Sequence, residues 1–283
     1  MDTTEIASTP PRPSRHASTS ASGTTHYRRE GAIGVIELDN GPFNVVSRPL
    51  VASFDESIDA AAADDAVRAV VLTARGSKAF CAGSDIGEFD DYTEPGSVVE
   101  LKLRFQNEVF GKLESLPKPT IAALDGLAFG GGLEIAMCCD IIVAHDDARV
   151  ALPEMRLGVF PSSGGPIRLS RRVGPERAKY MMFTTDPISA HTAQSYGLIS
   201  DVVSEGTAFA HALVLAEEFA NRPLHGVAAI KSLLAASYTL SAAELRDHSL
   251  ALSDDAFTSA DCAEGLAAFR AKRPPRFGLA TRP

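Results

Sequence analysis

The stretch Pro119-Thr-Ile-Ala-Ala-Leu-Asp-Gly-Leu-Ala-Phe-Gly-Gly-Gly-Leu-Glu-Ile-Ala-Met-Cys-Cys-Asp-Ile-Ile-Val-Ala144 carries most of what the sequence says about the fold. It opens with an apolar run, Pro119 to Leu124, of the kind that forms a strand covered on both faces. It crosses a glycine segment from Gly126 to Gly132 and enters a helix that carries Glu134 and Met137. A second strand follows between Asp140 and Ala144. Glycines let a backbone pass close to a ligand and adopt positive φ. At a helix N-terminus the first N–H groups lack partners and carry the positive end of the dipole. The Gly131 N–H is therefore a candidate donor to a developing oxyanion, a role in which one donor is worth about 3–4 kcal/mol of barrier. A tight turn that packs helix against strand is the other use of such glycines. The spacing is neither G-x-G-x-x-G nor a Walker loop, so it does not indicate nucleotide binding by those devices.

Outward from this stretch the pattern repeats. Ala32 to Leu38 is a short apolar strand that ends in the turn Asp39-Asn40-Gly41-Pro42. Pro49 to Ala62 reads as a helix with Leu50, Phe54 and Ile58 four residues apart. Val67 to Thr73 is a further strand buried on both faces. Val98 to Leu116 reads as a helix that repeats Leu101, Phe105, Val109 and Leu113 and stops before Pro117. Arg149 to Leu152 is a strand. After Gly174 the chain turns helical, over 178–183, 190–196, 209–220, 227–236 and 242–251. Strands alternating with helices predict an α/β fold with an all-helical C-terminal portion. No sequence repeat with a period of 20–50 residues is visible. The division read from this pattern is a disordered tail over 1–26, a core over 27–200 and a helical region over 201–283.

Composition narrows the function classes. With 45% hydrophobic and 22% charged residues, the 283-residue chain is ordinary for a soluble globular protein. Its net charge of −9, with no long basic stripe, argues against a nucleic-acid or anionic-membrane surface. No run approaches the roughly 18 apolar residues of a membrane span. Cys81, Cys138, Cys139 and Cys262 form neither a C-x-x-C pair nor a His–Cys cluster, so no zinc site or secreted disulfide framework is expected. A reducing cytoplasm fits this usage. The Ser-, Thr- and Pro-rich run from Ser8 to Thr25 lacks the apolar core of a secretory signal.

Two further segments stand out. Lys78-Ala-Phe-Cys-Ala-Gly-Ser-Asp-Ile-Gly-Glu88 follows the Val67–Thr73 strand directly. Leu152-Pro-Glu-Met-Arg-Leu-Gly-Val-Phe-Pro-Ser-Ser-Gly-Gly165 follows the strand after His145. Glu134 lies in a first helical turn, where an acid usually compensates the dipole. Here, though, Leu133, Ile135, Ala136 and Met137 surround it, and a half-buried carboxylate there would have a raised pKa suited to acid–base work. Glu154, alone, reads as a surface acid at a strand end. His145, His191 and His225 read as surface or capping residues, and Asp140 as a structural hydrogen-bond acceptor.

Together these segments resemble the crotonase (enoyl-CoA hydratase/isomerase) superfamily. Lys-Ala-Phe-Cys-Ala-Gly-Ser-Asp-Ile86 is similar to its first oxyanion loop, and Gly130-Gly-Gly-Leu-Glu134 to its second. Pro153-Glu-Met-Arg-Leu-Gly-Val-Phe-Pro161 is similar to its third motif, and the matches continue in order to about residue 277. The resemblance implies an α/β fold built as a spiral of ββα units, with a helical C-terminal trimerisation region and assembly as a homotrimer or dimer of trimers. It implies that the Ser84 and Gly131 N–H groups hold an acyl-CoA thioester oxygen, and that Ala82, Asp85, Ile86 and Gly130 line the substrate path. It implies a contact from Lys272 to the CoA of a neighbouring subunit, with a solvated pair of Lys272 and Arg273 as the alternative. Glu134 and Glu154 match the two glutamates that share a water in the hydratase branch.

The chemistry implied is addition of water to a 2-enoyl-CoA. Glu134 activates the water, Glu154 supplies a proton to Cα, and two N–H groups stabilise the enolate oxygen. No metal and no cofactor is implied, CoA being part of the substrate. Having both glutamates favours hydration over isomerisation. Thioesterase, decarboxylase and non-catalytic acyl-CoA binding are the other readings of the same fold. A serine hydrolase would need a G-x-S-x-G elbow, which the sequence lacks. Three positions depart from the family pattern. Gly87 stands where many relatives have a lysine, Asn40-Gly-Pro-Phe-Asn44 lacks a basic residue, and Ser162-Ser163 replaces a Gly-Ala pair beside the water site.

Overall fold

The computed structural model describes residues 23–76, 78–204 and 207–278. Strands β1 (Thr24–Glu30) and β2 (Ile33–Asp39) form an antiparallel hairpin. The tail assigned to 1–26 is thus corrected at its end: Thr24, Thr25 and His26 belong to β1, and residues 1–22 lie outside the described residues. Polar Thr25 gave no apolar signal, because it is held by hydrogen bonds to Ser53 and Ser57 of the next helix. That helix, α1 (Arg48–Ala63), starts at Ser47, whose hydroxyl accepts from the Leu50 N–H. It buries Leu50, Phe54 and Ile58, as the four-residue spacing predicts.

The chain then deals strands in pairs, one to each of two sheets. Strand β3 (Ala69–Ala74) enters the main sheet and β4 (Ala79–Cys81) the smaller one. After α2 (Arg104–Glu114) the pair is β5 (Thr120–Leu124) and β6 (Leu127–Phe129). After α3 (Gly131–Ala136) it is β7 (Ile141–His145) and β8 (Arg149–Ala151). Next come α4 (Gly165–Val173), α5 (Pro175–Thr184), β9 (Ile188–Ser189), α6 (Ala190–Ser195) and β10 (Asp201–Val203). The main sheet runs β1-β2-β3-β5-β7-β10, parallel from β2 onward, and the smaller one β4-β6-β8-β9. This is the spiral of ββα turns. Its three-residue strands carry no periodicity of their own, so the sequence showed only one strand of most pairs.

Between the sheets lies one core cluster that includes Leu72, Phe80, Phe110, Leu124 and Leu133, all fully buried. Each such side chain contributes about 1.5–3 kcal/mol by leaving water. The other face of the main sheet is covered by α7 (Ala208–Ala220), whose Ala208, Ala212, Ala216 and Ala220 meet Val35, Val71, Ile121 and Val143. Strand β10 and α7 therefore belong to the core, and the boundary assigned at 200/201 does not separate two packing units. Among the described residues α8 (Leu224–Ala236), α9 (Ala242–Thr258) and α10 (Ala260–Arg270) project from it, and α8 and α9 bury no residue. Asp140 is the structural acceptor expected, taking the Thr120 N–H at 2.8 Å and the Lys231 ammonium of α8 at 2.8 Å.

The reading of Val98–Leu116 needs correction. Its first part, Val99–Leu103, is a π-helical turn. Leu101 and Phe105 are exposed, while Lys102, Gln106, Val109, Phe110 and Leu113 face inward. A four-residue spacing drifts by about 40° per step around a helix of 3.6 residues per turn, so only the end of the series Leu101–Leu113 stays on the buried face.

Candidate active site

Glu134 is carried by α3, a helix that starts where the chain leaves β6 through Gly130. Gly130 has φ 51° and ψ −126°, a conformation open to glycine alone, and its N–H donates to the Ala151 carbonyl at 2.9 Å. A Cβ there would stand 2.9 Å from Glu154 Oε1. The two glutamates, from different turns of the spiral, thus meet in one cavity of about 520 Å³. Apolar Val45, Phe89, Leu157 and Phe160 make much of its wall.

The two carboxyls sit in different surroundings. Glu134 is 3% exposed, and its Oε1 accepts the N–H groups of Ser163 at 2.9 Å and Gly165 at 2.8 Å. Glu154 follows Pro153 and opens a 3-10 turn, Glu154–Leu157. Its Oε2 is buried without a partner among the described residues. Burial pushes both carboxyls up to about 7. For Glu134 the two N–H donors oppose that rise; for Glu154 its own backbone N–H opposes it, and the charge of Glu134 adds to it. The two carboxyls therefore titrate as a coupled pair.

Above these groups the segment after β4 runs beside Val46. The Val46 N–H donates to the Gly83 carbonyl at 2.8 Å, and the Asp85 N–H donates to the Val46 carbonyl at 3.0 Å. Ser84, between them, turns its own N–H away from Val46. A Cβ on Gly131 would lie 3.7 Å from Ser84 N, so the two residues are close neighbours. Among the described residues neither has a protein acceptor. Two unspent backbone donors beside two buried carboxyls are the parts needed to stabilise a charge that develops on a carbonyl oxygen.

Of the residues read from the sequence, Ala82, Ser84, Ile86, Gly130, Glu134 and Glu154 come together in the cavity wall. Gly131 stands directly behind it, against Ser84 and Val46. Asp85 turns away: its carboxylate accepts the Gly87 N–H at 2.9 Å and caps the 3-10 turn Ile86–Tyr92. Lys272, beyond the end of α10, is exposed and outside the lining, so a single chain does not bring it to the site. Beside it Arg273 forms a bidentate pair with Glu264 at 2.7 and 2.9 Å. The Asn40–Asn44 departure has a structural use. Asn44 Oδ1 accepts the Asn40 N–H, and Asn44 Nδ2 donates to the carbonyls of Arg75 and Ala79.

Two residues were missed. Gln106 Nε2 donates to the Ser163 hydroxyl at 2.6 Å, and Arg168 donates to the Ser163 carbonyl at 2.8 Å. The serine that replaces a smaller residue in relatives is thus clamped while its N–H holds Glu134. Lys102 lies in the cavity wall with its side chain 5% exposed. Both Gln106 and Lys102 would have been found by following the stripe at positions 102, 106, 109 and 113.

The raised carboxyls link stability to pH. Between the ordinary carboxylate range and about 7 the folded chain holds protons that the unfolded chain has lost, so stability falls as pH rises through that window. Below the window the loss is absent, and above it complete. Glu134→Gln keeps an acceptor for both N–H groups but has no proton to release. Its melting temperature, relative to the parent chain, should be higher at pH 8 than at pH 5. An equal difference at both pH values would mean that Glu134 is not held in its acid form by the fold.

Comparison with known proteins identifies a family. The family described as enoyl-CoA hydratase/isomerase matches residues 28–279. A probable enoyl-CoA hydratase of Bacillus subtilis (strain 168) is 35% identical over 250 residues, which is 87% of this chain and 95% of that one. The mitochondrial methylglutaconyl-CoA hydratase of Mus musculus is 36% identical over 244 residues, 83% of this chain and 75% of its own. Among solved structures, Pseudomonas aeruginosa DspI superposes with a TM-score of 0.84 at 32% identity, covering 93% of this chain and all of that one. The chain belongs to the enoyl-CoA hydratase/isomerase family, the crotonase superfamily.

Proposed function

We propose that this chain is an enoyl-CoA hydratase that adds water syn across the double bond of a 2-enoyl-CoA thioester. The observation that carries the reading is the unequal pair of carboxyls, one anchored by two N–H donors and one without a partner on Oε2, in the cavity that the Ser84 and Gly131 segments border. The thioester oxygen accepts from both backbone N–H groups, which form the oxyanion hole. Glu134 takes a proton from water as it attacks Cβ. Glu154 gives its proton to Cα, and the charge passing through the enolate oxygen meets donors that need no reorganisation. None of these steps calls for a metal. An isomerase would move one proton between two carbons of the substrate and needs a single acid–base group. The second buried carboxyl is what favours hydration.

The helices α8–α10 support assembly of several copies. Ile230, Leu234, Leu250, Phe257 and Phe269 are each more than half exposed there. A groove of about 550 Å³, lined by Met137, Ile230, Leu234 and Tyr238, lies against the same region and holds neither glutamate. We read these faces as buried in a homotrimer or a dimer of trimers. No helix among the described residues is long and apolar enough to cross a membrane.

The test of the activity is direct. Purified protein is mixed with crotonyl-CoA and a longer 2-enoyl-CoA, and loss of the conjugated thioester absorbance is followed with product analysis. Formation of the 3-hydroxyacyl-CoA is expected. A 3-enoyl product, free CoA thiol, or binding without turnover would replace hydration by the isomerase, thioesterase or binding reading respectively. Light scattering tests the assembly, and the mass of one chain would overturn it.

A further inference from the structure

The wall of the cavity contains one full charge that the hydration chemistry does not use. Lys102 enters on the π-helical turn Val99–Leu103, an element often found at functional sites. Its ammonium donates to the Val46 carbonyl at 3.2 Å and to Glu88 Oε2 at 3.2 Å, and lies 5.9 Å from the centre of the Tyr92 ring. Tyr92 and Phe89 line the same cavity.

A buried lysine can be a plain structural brace, and this protein has one for comparison. Lys118 is also buried, and its three protons go to three carbonyls: Ala61 at 2.7 Å, Ala62 at 3.2 Å and Asp64 at 2.8 Å. It uses its whole donor capacity inside the fold and lines no part of the cavity. Lys102 has two acceptors among the described residues for the same three donors. The remaining donor belongs to a charged group in a mostly apolar cavity, where an unspent donor is costly.

The surrounding charges show which groups it suits. Glu88 accepts from Lys102, from the Tyr92 hydroxyl at 2.8 Å and from the Arg48 N–H at 2.8 Å. Burial works against its charge, but these donors hold it below the usual carboxylate range. Arg48 in turn reaches Glu88 and Asp91. Lys102 and Arg48 thus balance Glu88 and Asp91, and the cluster is neutral as it stands. An entering group needs to offer an oxygen acceptor and need bring no charge, since a carboxylate would come near the ionised Glu88.

We propose that Lys102 is a specificity-determining residue whose ammonium binds an oxygen acceptor on the acyl group, so that the preferred substrates are oxygen-bearing enoyl-CoA thioesters, not plain hydrocarbon ones. The proposal rests on the hydratase reading for the reaction but not for the binding, so its test has two arms. In the first, kcat/KM is compared for 2-pentenoyl-CoA, 5-hydroxy-2-pentenoyl-CoA and glutaconyl-CoA. A hydrogen bond to a charged donor predicts a preference of roughly 10-fold or more for an oxygenated substrate. Preference for the hydroxyl identifies a neutral acceptor as the partner, and preference for glutaconyl-CoA a carboxylate. Lys102→Met, which keeps the length of the stem, should bring the ratio close to one. The double variant Lys102→Met/Glu88→Gln keeps the wall neutral and should do the same. Ratios measured within one variant cancel any loss of folded protein, which a purely structural role would produce. In the second arm, binding of pentanoyl-CoA, 5-hydroxypentanoyl-CoA and glutaryl-CoA is measured calorimetrically. This arm stands even if no substrate is hydrated. A parent chain that prefers the plain chain in both arms, or a ratio that Lys102→Met leaves unchanged, overturns the proposal.

Discussion

Glu134→Gln and Glu154→Gln should each lower turnover of a 2-enoyl-CoA by about 100-fold or more, the usual size of a lost acid–base group. The two losses should differ in kind. In Glu134→Gln the amide oxygen could still accept the Ser163 and Gly165 N–H groups, so the loop from Pro161 to Gly165 keeps its place and only the base is gone. Its pH–rate profile should lose the limb that reflects ionisation near 7. Glu154→Gln would keep a polar group where Oε2 now lacks a partner, but would have no proton to give, and the opposite limb should disappear. Because one group must be ionised and the other protonated for turnover, the profile of the parent chain should be bell-shaped. Initial rates from about pH 5 to 9, wide enough to span both limbs of such a profile, check this for the parent and each variant. Full activity in either variant would remove that residue from the chemistry.

Gly132→Ala is expected to have the largest effect on folding of any single methyl addition in the site. A Cβ on Gly132 would overlap the Cys81 carbonyl oxygen and lie 2.7 Å from Cys81 Cβ. The obstacle is backbone in β4, not the end of a flexible side chain, so α3 or β4 must move. Overpacking of this sort costs about 1–3 kcal/mol and occasionally more. It also separates the segments that carry Ser84 and Gly131, so activity should fall further than the folded fraction does. Chemical denaturation, together with turnover normalised to folded protein, separates the two effects. Parent-like stability would mean that helix and strand are less closely apposed than these distances imply. Gly111, whose Cβ would meet nothing within 4 Å, shows that the constraint is local to the junction.

Much of this was legible in the sequence, for identifiable reasons. The buried parallel strands announced themselves because both faces are covered, so Val67–Thr73 and Pro119–Leu124 read as unbroken apolar runs. The glycine segment was legible because a conformation such as that of Gly130 admits no other residue. Most of the smaller sheet was not: Arg149–Leu152 read as a strand, but Ala79–Cys81, Leu127–Phe129 and Ile188–Ser189 are too short for alternation to register. The partnership of Glu134 with Glu154 was beyond periodicity altogether. It comes from successive turns of the spiral dealing their strands to neighbouring positions, and only resemblance to a family pointed to it. Lys102 and Gln106 escaped because polar residues on an inward face are discounted when apolar ones define the stripe. The Ser162-Ser163 departure was visible as a substitution, but its meaning depended on Gln106, which lies 57 residues before Ser163.

The alanines on α7 bear on how this chain can be divided. With Ala208, Ala212, Ala216 and Ala220 against the sheet, α7 is seated too low for a larger side chain to enter without lifting it. Its first N–H groups are also held by Asp125, at 2.6 Å from Ala208 and 3.2 Å from Phe209, on the short link that joins β5 to β6 just ahead of the site glycines. The helix that covers the sheet and the link that leads into the glycine segment therefore share one fastening. Cutting the chain near residue 200 would not free a smaller working enzyme. It would bare a valine- and isoleucine-rich sheet face to water and leave a carboxylate beside the glycine turn with nothing to hold. A minimal catalytic unit of this protein must run at least through Ala220, and shuffling between relatives should place its crossover after that residue, not before it.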